Sequence, residues 1–367
     1  MLSAKKNYLL RAIARMLVLT AVIFSSLTFA FPHEAMAGLA QGDAITDPKA
    51  ILRYALPIDN KSVRKMQGSL EDLSRQLRVK MWGKINKDIK DARFQLTVRR
   101  DAILEGVPEA AQPRAEEIID ELIVGLDQMK EDAEAKDREA LYIKRRELLD
   151  LVSELEESMV VGFPYEVPEE FANLPQLLGR ATIEMETNKG NLTVVVDGYN
   201  APINAGNFVD LVNRGFYDGL DFNRAEEFYI VQAGDPEGDA DGFIDPKTNE
   251  YRAIPLEVKT PDDEIPVYEI TLEDMGRYLD TPTLPFNAYG AIALARPADD
   301  PNGGSSQFFF FKFDTELTPP GYNLMDGRYS VFGYLVDGKD VLEELTAGDR
   351  IISAKVVKGI ENLIEPS

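Results

Sequence analysis

The chain has 367 residues, with 40 Lys and Arg against 63 Asp and Glu, a formal net charge of −23, one His and no Cys. So acidic a surface repels nucleic acid and anionic lipid and favours basic partners. Without Cys, and with its single imidazole, His33, inside the export segment expected to be cleaved, the mature chain offers no Ser-His-Asp triad, no Cys-His pair and no His/Cys zinc site. Its chemistry must run on arginine, carboxylates, amides and shape.

The length suits two domains and an export segment. Residues 1–37 read as that segment. Lys5, Lys6, Arg11 and Arg15 precede an apolar run from Met16 to Phe31, and Ala35-Met36-Ala37 offers a small-residue cleavage site before Gly38. The run is short for a span and is broken by Thr20, Ser25, Ser26 and Thr28, so cleavage on the general secretory route is the expectation, with an uncleaved membrane anchor as the alternative. After cleavage no stable membrane span is expected. The only histidine, His33, leaves with the leader.

Residues 38–161 read as a helical bundle. Thr46-Asp47-Pro48 caps a short helix ending near Leu56-Pro57. Val63, Met66, Leu70, Leu73, Leu77, Met81, Ile85 and Ile89 then recur three and four apart, predicting one long helix before the break at Gly106-Val107-Pro108. A third helix carries Ile118, Leu122, Leu126 and Met129, and a fourth carries Leu141, Leu148, Val152, Leu155 and Met159. Three long amphipathic helices and a short one predict an antiparallel bundle. A zipper for a partner is the alternative, but Pro or Gly breaks each apolar run early.

Residues 162–179 hold Pro164, Pro168 and Pro175 and no helical stripe, which predicts a stiffened linker. Phe163, Tyr165, Phe171 and Leu174 are too apolar for a free tether, so the linker is expected to lie on a domain. From Arg180 the period changes to two. Thr182 to Met185 and Asn191 to Val196 flank a turn at Asn188-Lys189-Gly190, predicting a hairpin. Ala201 to Arg214 predicts a helix, and further short strands follow through 360, leaving a tail at 361–367. Pattern alone gives an antiparallel sandwich or barrel.

Two stretches carry the chemistry. In F-N-R-A-E-E-F-Y-I-V-Q-A-G-D, Phe222 to Asp235, a permanently charged Arg224 precedes an apolar strand ending at the amide of Gln232. S-S-Q-F-F-F-F, Ser305 to Phe311, supplies aromatic surface. A shallow apolar pocket with one cation and one amide at its rim suits a proline ring better than hydrolysis or redox chemistry.

Together these stretches resemble the cyclophilin signature, F-H-R-x-x-x-x-F-M-x-Q-x-G-D followed by S-Q-F-F. The approach Tyr217 to Phe222, the run Gly290 to Ala295 and D-G-R-Y-S-V-F-G from Asp326 to Gly333 agree in order, so the resemblance spans Arg180 to Ile360. It implies a cyclophilin-like eight-stranded antiparallel β-barrel with two helices behind the α-helical bundle, an architecture of α and β domains. It also implies peptidyl-prolyl isomerase activity with Arg224 as the catalytic residue and no cofactor. The implied substrate groove comprises Phe222, Tyr229, Ile230, Gln232, Ala295, Gln307, Phe309, Leu324, Met325 and Tyr329. Asn223 and Tyr329 replace histidines of the family pattern, and Leu324 stands where many members carry tryptophan. These departures leave a second reading, a catalytically weak chaperone or scaffold whose groove binds a partner segment or its own linker.

Glu237 to Asp245 places Asp239, Asp241 and Asp245 with the spacing of a calcium loop, but Thr248 stands where such a loop needs a bidentate Glu. The reading is an acidic surface loop, with weak calcium binding as the alternative. An exported helical domain joined to a cyclophilin domain is similar to the large multidomain cyclophilins of the thylakoid lumen. The single bacterial-type leader points to a cyanobacterial member, placing it in the lumen or periplasm. That resemblance implies proline-containing segments as substrates, photosystem II subunits among the partners, and a role in photosystem II assembly or maintenance.

Overall fold

Residues 45–313 and 323–366 are described by the computed structural model, so the leader expected at 1–37 lies outside the described residues. The first helix, α1 (Pro48–Tyr54), starts where the sequence places it: Asp47 accepts a hydrogen bond from Lys49 N at 3.0 Å and Pro48 sits in the first turn. Helix α2 (Lys61–Arg78) is capped by Asn60, which accepts from Ser62 N and Val63 N, each at 3.1 Å.

The single long helix expected from Val63 to Ile89 is in fact two. The chain reverses after Arg78 through Lys80, at φ +58°, and re-enters as α3 (Trp82–Val98). The apolar spacing runs on across the break because both helices face one core. A non-glycine residue in the left-handed region leaves no sequence mark of the helix end. Helices α4 (Arg100–Leu104), α5 (Gln112–Ala135) and α6 (Arg138–Ser158) follow, with Asp137 capping α6 through Ala140 N at 3.0 Å. Val63, Met66, Leu70, Leu126, Val152 and Leu155 are fully buried between them. Gly125 lets α5 and α6 approach, since a Cβ there would stand 2.3 Å from a Leu148 methyl.

The second half is built from β1 (Gln176–Leu177), β2 (Arg180–Thr187), β3 (Gly190–Asp197), β4 (Phe222–Glu226), β5 (Ile230–Ala233), β6 (Glu257–Val258) and β7 (Val267–Tyr268). It continues through β8 (Ala291–Leu294), β9 (Phe308–Phe311), β10 (Val331–Asp337), β11 (Ile351–Lys358) and β12 (Leu363–Ile364). Eight strands form one antiparallel sheet in the order β11-β2-β3-β10-β8-β9-β5-β4. The sheet curls until its edges meet at the Asp221–Arg350 bridge, where Phe222 N donates to Asp349 O at 2.7 Å and Gly348 N to Phe222 O at 2.8 Å. Curling buries one edge against the other and one sheet face against itself. Two helices pack on this barrel, α7 (Pro202–Asn213) and α8 (Lys339–Glu344). The N-terminus of α7 is held by the fully buried Glu257, which accepts from Ile203 N at 3.1 Å and Asn204 N at 2.9 Å.

Helix α1 packs away from the bundle core. Ile51, Leu52 and Ala55 belong to the barrel's core, and Asn200 Nδ2 donates to Ala55 O at 3.0 Å. On its other side Arg53, 2 % exposed, pairs with Glu71 at 2.6 Å, and Arg145 reaches the same carboxylate at 2.8 Å. Nearby Glu156 is fully buried 3.5 Å from Arg64. One short helix thus seats the bundle on the barrel through apolar contacts below and ion pairs above. The linker lies on the barrel as expected: Phe171 is in its core, Tyr165 Oη donates to Tyr199 O at 3.0 Å, and β1 pairs with β12. Those contacts commit the linker elsewhere and correct the alternative in which it fills the groove.

Candidate functional site

The site begins with an irregularity in a hairpin. Strands β4 and β5 pair with Phe222 opposite Ala233 and Arg224 opposite Gln232, the register shifting between the two pairs. The extra residue turns Phe222 and Arg224 to opposite faces of the sheet. Phe222 is fully buried in the barrel core, whereas the Arg224 side chain is 55 % exposed. Across β5, β9 and β8 the row continues through Gln232, Phe309 and Ala293. Residues directly opposite one another share a face, so arginine, amide and aromatic ring line up on the outside of the barrel.

The four phenylalanines of β9 divide by the same alternation. Phe308 points inward and meets Phe208 at 5.1 Å and Tyr217 at 5.2 Å. Phe309 points outward, stacked on Phe286 at 6.0 Å and edge-on to Tyr329 at 5.6 Å. Phe311, on the same face, meets Tyr229 at 6.0 Å. Tyr229 Oη donates to Met325 Sδ at 3.2 Å, and Ala295 N donates to Gln307 O at 2.9 Å. These contacts bring Tyr229, Gln232, Ala295, Gln307, Phe309, Met325 and Tyr329 together as one candidate groove, with Arg224 opposite Gln232.

An amide chain forms the rim. Gln232 Nε2 donates to Gln307 Oε1 at 2.6 Å, and Gln307 Nε2 donates to Asp241 O at 2.8 Å. Asn223 Nδ2, at a position where the family pattern has histidine, donates to Asp235 Oδ2 at 3.2 Å. Gly234, at φ +98°, lets this rim pass over β9: a Cβ would fall 2.4 Å from Ser306 O. Arg296 lies over the Tyr329 ring at 5.2 Å. Asp326 anchors the wall that carries Met325 and Tyr329 by accepting from Phe286 N at 2.8 Å, and burial pushes its carboxyl up to about 7. Arg224 Nη2 donates to Glu226, its ion-pair partner.

Two expected groove residues lie elsewhere. Phe222 is corrected from the groove to the barrel core, because the bulge reverses its face. Ile230 stays with the floor: it lies opposite Phe311 on the outer face and, at 5 % exposed, is about as covered as Phe309. Leu324 is 68 % exposed and borders a pocket with Tyr278 and Leu279, beside the groove rather than in its floor. Phe286, Arg296 and Asp326 were missed: Arg296 and Asp326 directly follow the expected Ala295 and Met325, whereas only the fold brings in Phe286. Glu226 was visible, since a residue two along a strand shares the face of the first.

In the acidic loop Asp245 has partners of its own. It accepts from Lys247 N at 2.8 Å and lies 3.6 Å from Arg252. Among the described residues no group of three or more His, Cys, Asp or Glu is arranged to hold a metal ion. No helix among them is long and apolar enough to cross a membrane.

Two protein-family models match the chain. Residues 182–361 match the cyclophilin type peptidyl-prolyl cis-trans isomerases, and residues 47–160 match the PsbQ-like domain of peptidyl-prolyl cis-trans isomerase CYP38-like proteins. A candidate thylakoid lumen peptidyl-prolyl cis-trans isomerase of Synechocystis sp. is 60 % identical over 347 residues, covering 92 % of each chain. The chloroplastic isomerase CYP38 of Arabidopsis thaliana is 45 % identical, over 90 % of this chain and 78 % of that one. Arabidopsis CYP37, also chloroplastic, is 31 % identical over 86 % and 70 %. The barrel with its outward row of Arg224, Gln232 and Phe309, and the helical domain before it, therefore have one source: the chain belongs to the cyclophilin-type peptidyl-prolyl cis-trans isomerases, among those with an N-terminal PsbQ-like domain.

Proposed function

We propose that this chain isomerises X-Pro bonds of exported proteins in the thylakoid lumen, with Arg224 as the catalytic donor. The observation that carries the reading is the exposed guanidinium in register with Gln232 and Phe309. Rotation about the X-Pro bond meets a barrier of about 18–20 kcal/mol because the amide gives up its resonance. As the bond twists, nitrogen regains its lone pair, and a donor held there stabilises the twisted state more than the planar one. The proline ring would rest against Phe309, Met325 and Tyr329, while Gln232 and Ala295 offer hydrogen bonds to the flanking backbone. No proton moves and no nucleophile is needed, in keeping with a groove of amides and aromatics, with Arg224 at one side and Arg296 over Tyr329. Arginine suits the role because it stays charged and presents several donors in a fixed plane.

The partners on this reading are proline-containing segments of lumenal proteins, photosystem II subunits among them, in assembly or maintenance. Export by the general secretory route follows from the leader pattern. The lumenal and photosystem II assignments rest on the family resemblance and the relatives' names. Arg224→Ala in full-length protein should lower turnover of a proline tetrapeptide about a hundredfold, roughly the 3 kcal/mol of one preorganised donor. A folded variant as active as wild type would remove Arg224 from the role.

One observation favours a second reading, client binding with little turnover. Phe309 is 3 % exposed and Met325 is 8 % exposed, so much of the floor is already covered by neighbouring side chains. Binding of a proline peptide with the same affinity in wild type and Arg224→Ala, without measurable isomerisation by either, would select that reading.

A further inference from the structure

The arginine proposed as the donor is already occupied. Arg224 and Glu226 are two residues apart on β4, so both side chains leave the same face of the strand. Arg224 Nη2 donates to the Glu226 carboxylate. No hydrogen bond joins Arg224 to Gln232, the residue opposite it, whose Nε2 donates to Gln307 Oε1 at 2.6 Å as part of the rim. Glu226 is therefore the hydrogen-bond partner of Arg224 among the described residues. Its side chain is 44 % exposed, at the tip of a hairpin that continues into Glu227 and Phe228.

We infer that Glu226 is a positioning residue that restrains Arg224, holding the guanidinium off the prolyl nitrogen until the twisting bond draws it away. This rests on the reading of Arg224 as the catalytic donor and deepens it. Two physical effects act in the same direction. The ion pair must be loosened before the guanidinium can turn over the groove towards Phe309. A carboxylate beside the donor also neutralises the positive field that would stabilise the lone pair of the twisted amide. The lone pair forms only as the bond twists, so the restraint acts on kcat more than on KM. Because the pair is exposed, its strength is modest and sensitive to salt.

The test uses the full chain and a proline tetrapeptide, with Glu226→Gln, which keeps the shape and removes the charge. Glu226→Gln should raise kcat three- to tenfold with KM little changed. Wild-type kcat should climb with ionic strength towards the variant's value, while the variant's stays flat. A purely structural role for Glu226 would not produce that convergence. An unchanged or lower kcat in Glu226→Gln overturns the proposal, and so does a gain that persists in Glu226→Gln combined with Arg224→Ala. Should Arg224→Ala alone be fully active, the catalytic reading falls and the restraint with it. When only the restraint is wrong, Arg224→Ala remains inactive and Glu226→Gln matches wild type.

Discussion

Raising the pH from 5 to 8 should destabilise this protein, and one deeply buried glutamate in each domain carries a testable share of the effect. Glu156 is fully buried on the bundle's last long helix, with one oxygen unpartnered and Arg64 at 3.5 Å. Glu257 is 1 % exposed beneath α7, with hydrogen-bond donors around it and no cation. Burial pushes each up from 4.5 to about 7. The folded state therefore holds these protons more tightly than the unfolded chain. The stability they contribute is complete below about pH 4.5 and is lost as pH rises through about 7. A rise of that size corresponds to about 3 kcal/mol per group as a ceiling. Each group sits in a different domain, so each domain should melt roughly 5–10 °C lower at pH 8 than at pH 5. Carboxylates held low by arginine partners, such as Asp120 by Arg100 and Asp221 by Arg350, lose their contribution only in more acid solution and leave this window clear. Calorimetry across the window is the assay, with Glu156→Gln and Glu257→Gln as controls. General repulsion in so acidic a chain, and the raised carboxyls of Asp326 in the barrel and Glu71 in the bundle, act in the same direction but persist in both variants, whereas the share of Glu156 or Glu257 should vanish in its own domain. Equal slopes in wild type and variants, or a lower melting temperature at pH 5, would refute the argument.

Leu52→Ala should cost the barrel about 2–5 kcal/mol, although Leu52 lies 124 or more residues before its strands (176 − 52), because its side chain is 5 % exposed in the barrel core. The single tryptophan, Trp82, reports the bundle, so a loss seen only in Trp82 fluorescence would mean that α1 serves the bundle instead. Millimolar calcium should leave thermal stability unchanged, since Asp245 is engaged by Arg252 and Lys247 N and does not join Asp239 and Asp241. A ligand at a hundred times its Kd would add about 2.7 kcal/mol, so a melting shift abolished by Asp239→Ala with Asp241→Ala would show that a calcium site exists.

Much of the chain was legible because its signals are local. Asp47-Pro48, Asn188-Lys189-Gly190 and the change of period at Arg180 mark a helix start, a hairpin and the passage from bundle to barrel, and the structure has each of them. Arg224, Gln232 and Phe309 could be singled out because a permanent cation, an amide and an aromatic block at those spacings suit few chemistries. Other features depend on long-range geometry. The reversal at Lys80 hid behind an apolar spacing that both helices share, because burial against one core imposes the same period on each. The face of Phe222 was set by a bulge, which shifts register without changing composition. The allegiance of α1 to the barrel, the approach of Phe286 and Asp326 to the groove, and the capping of α7 by Glu257 all join residues about 40 or more apart in sequence. Periodicity tells a residue that it has an inside to face; only tertiary packing decides which inside that is.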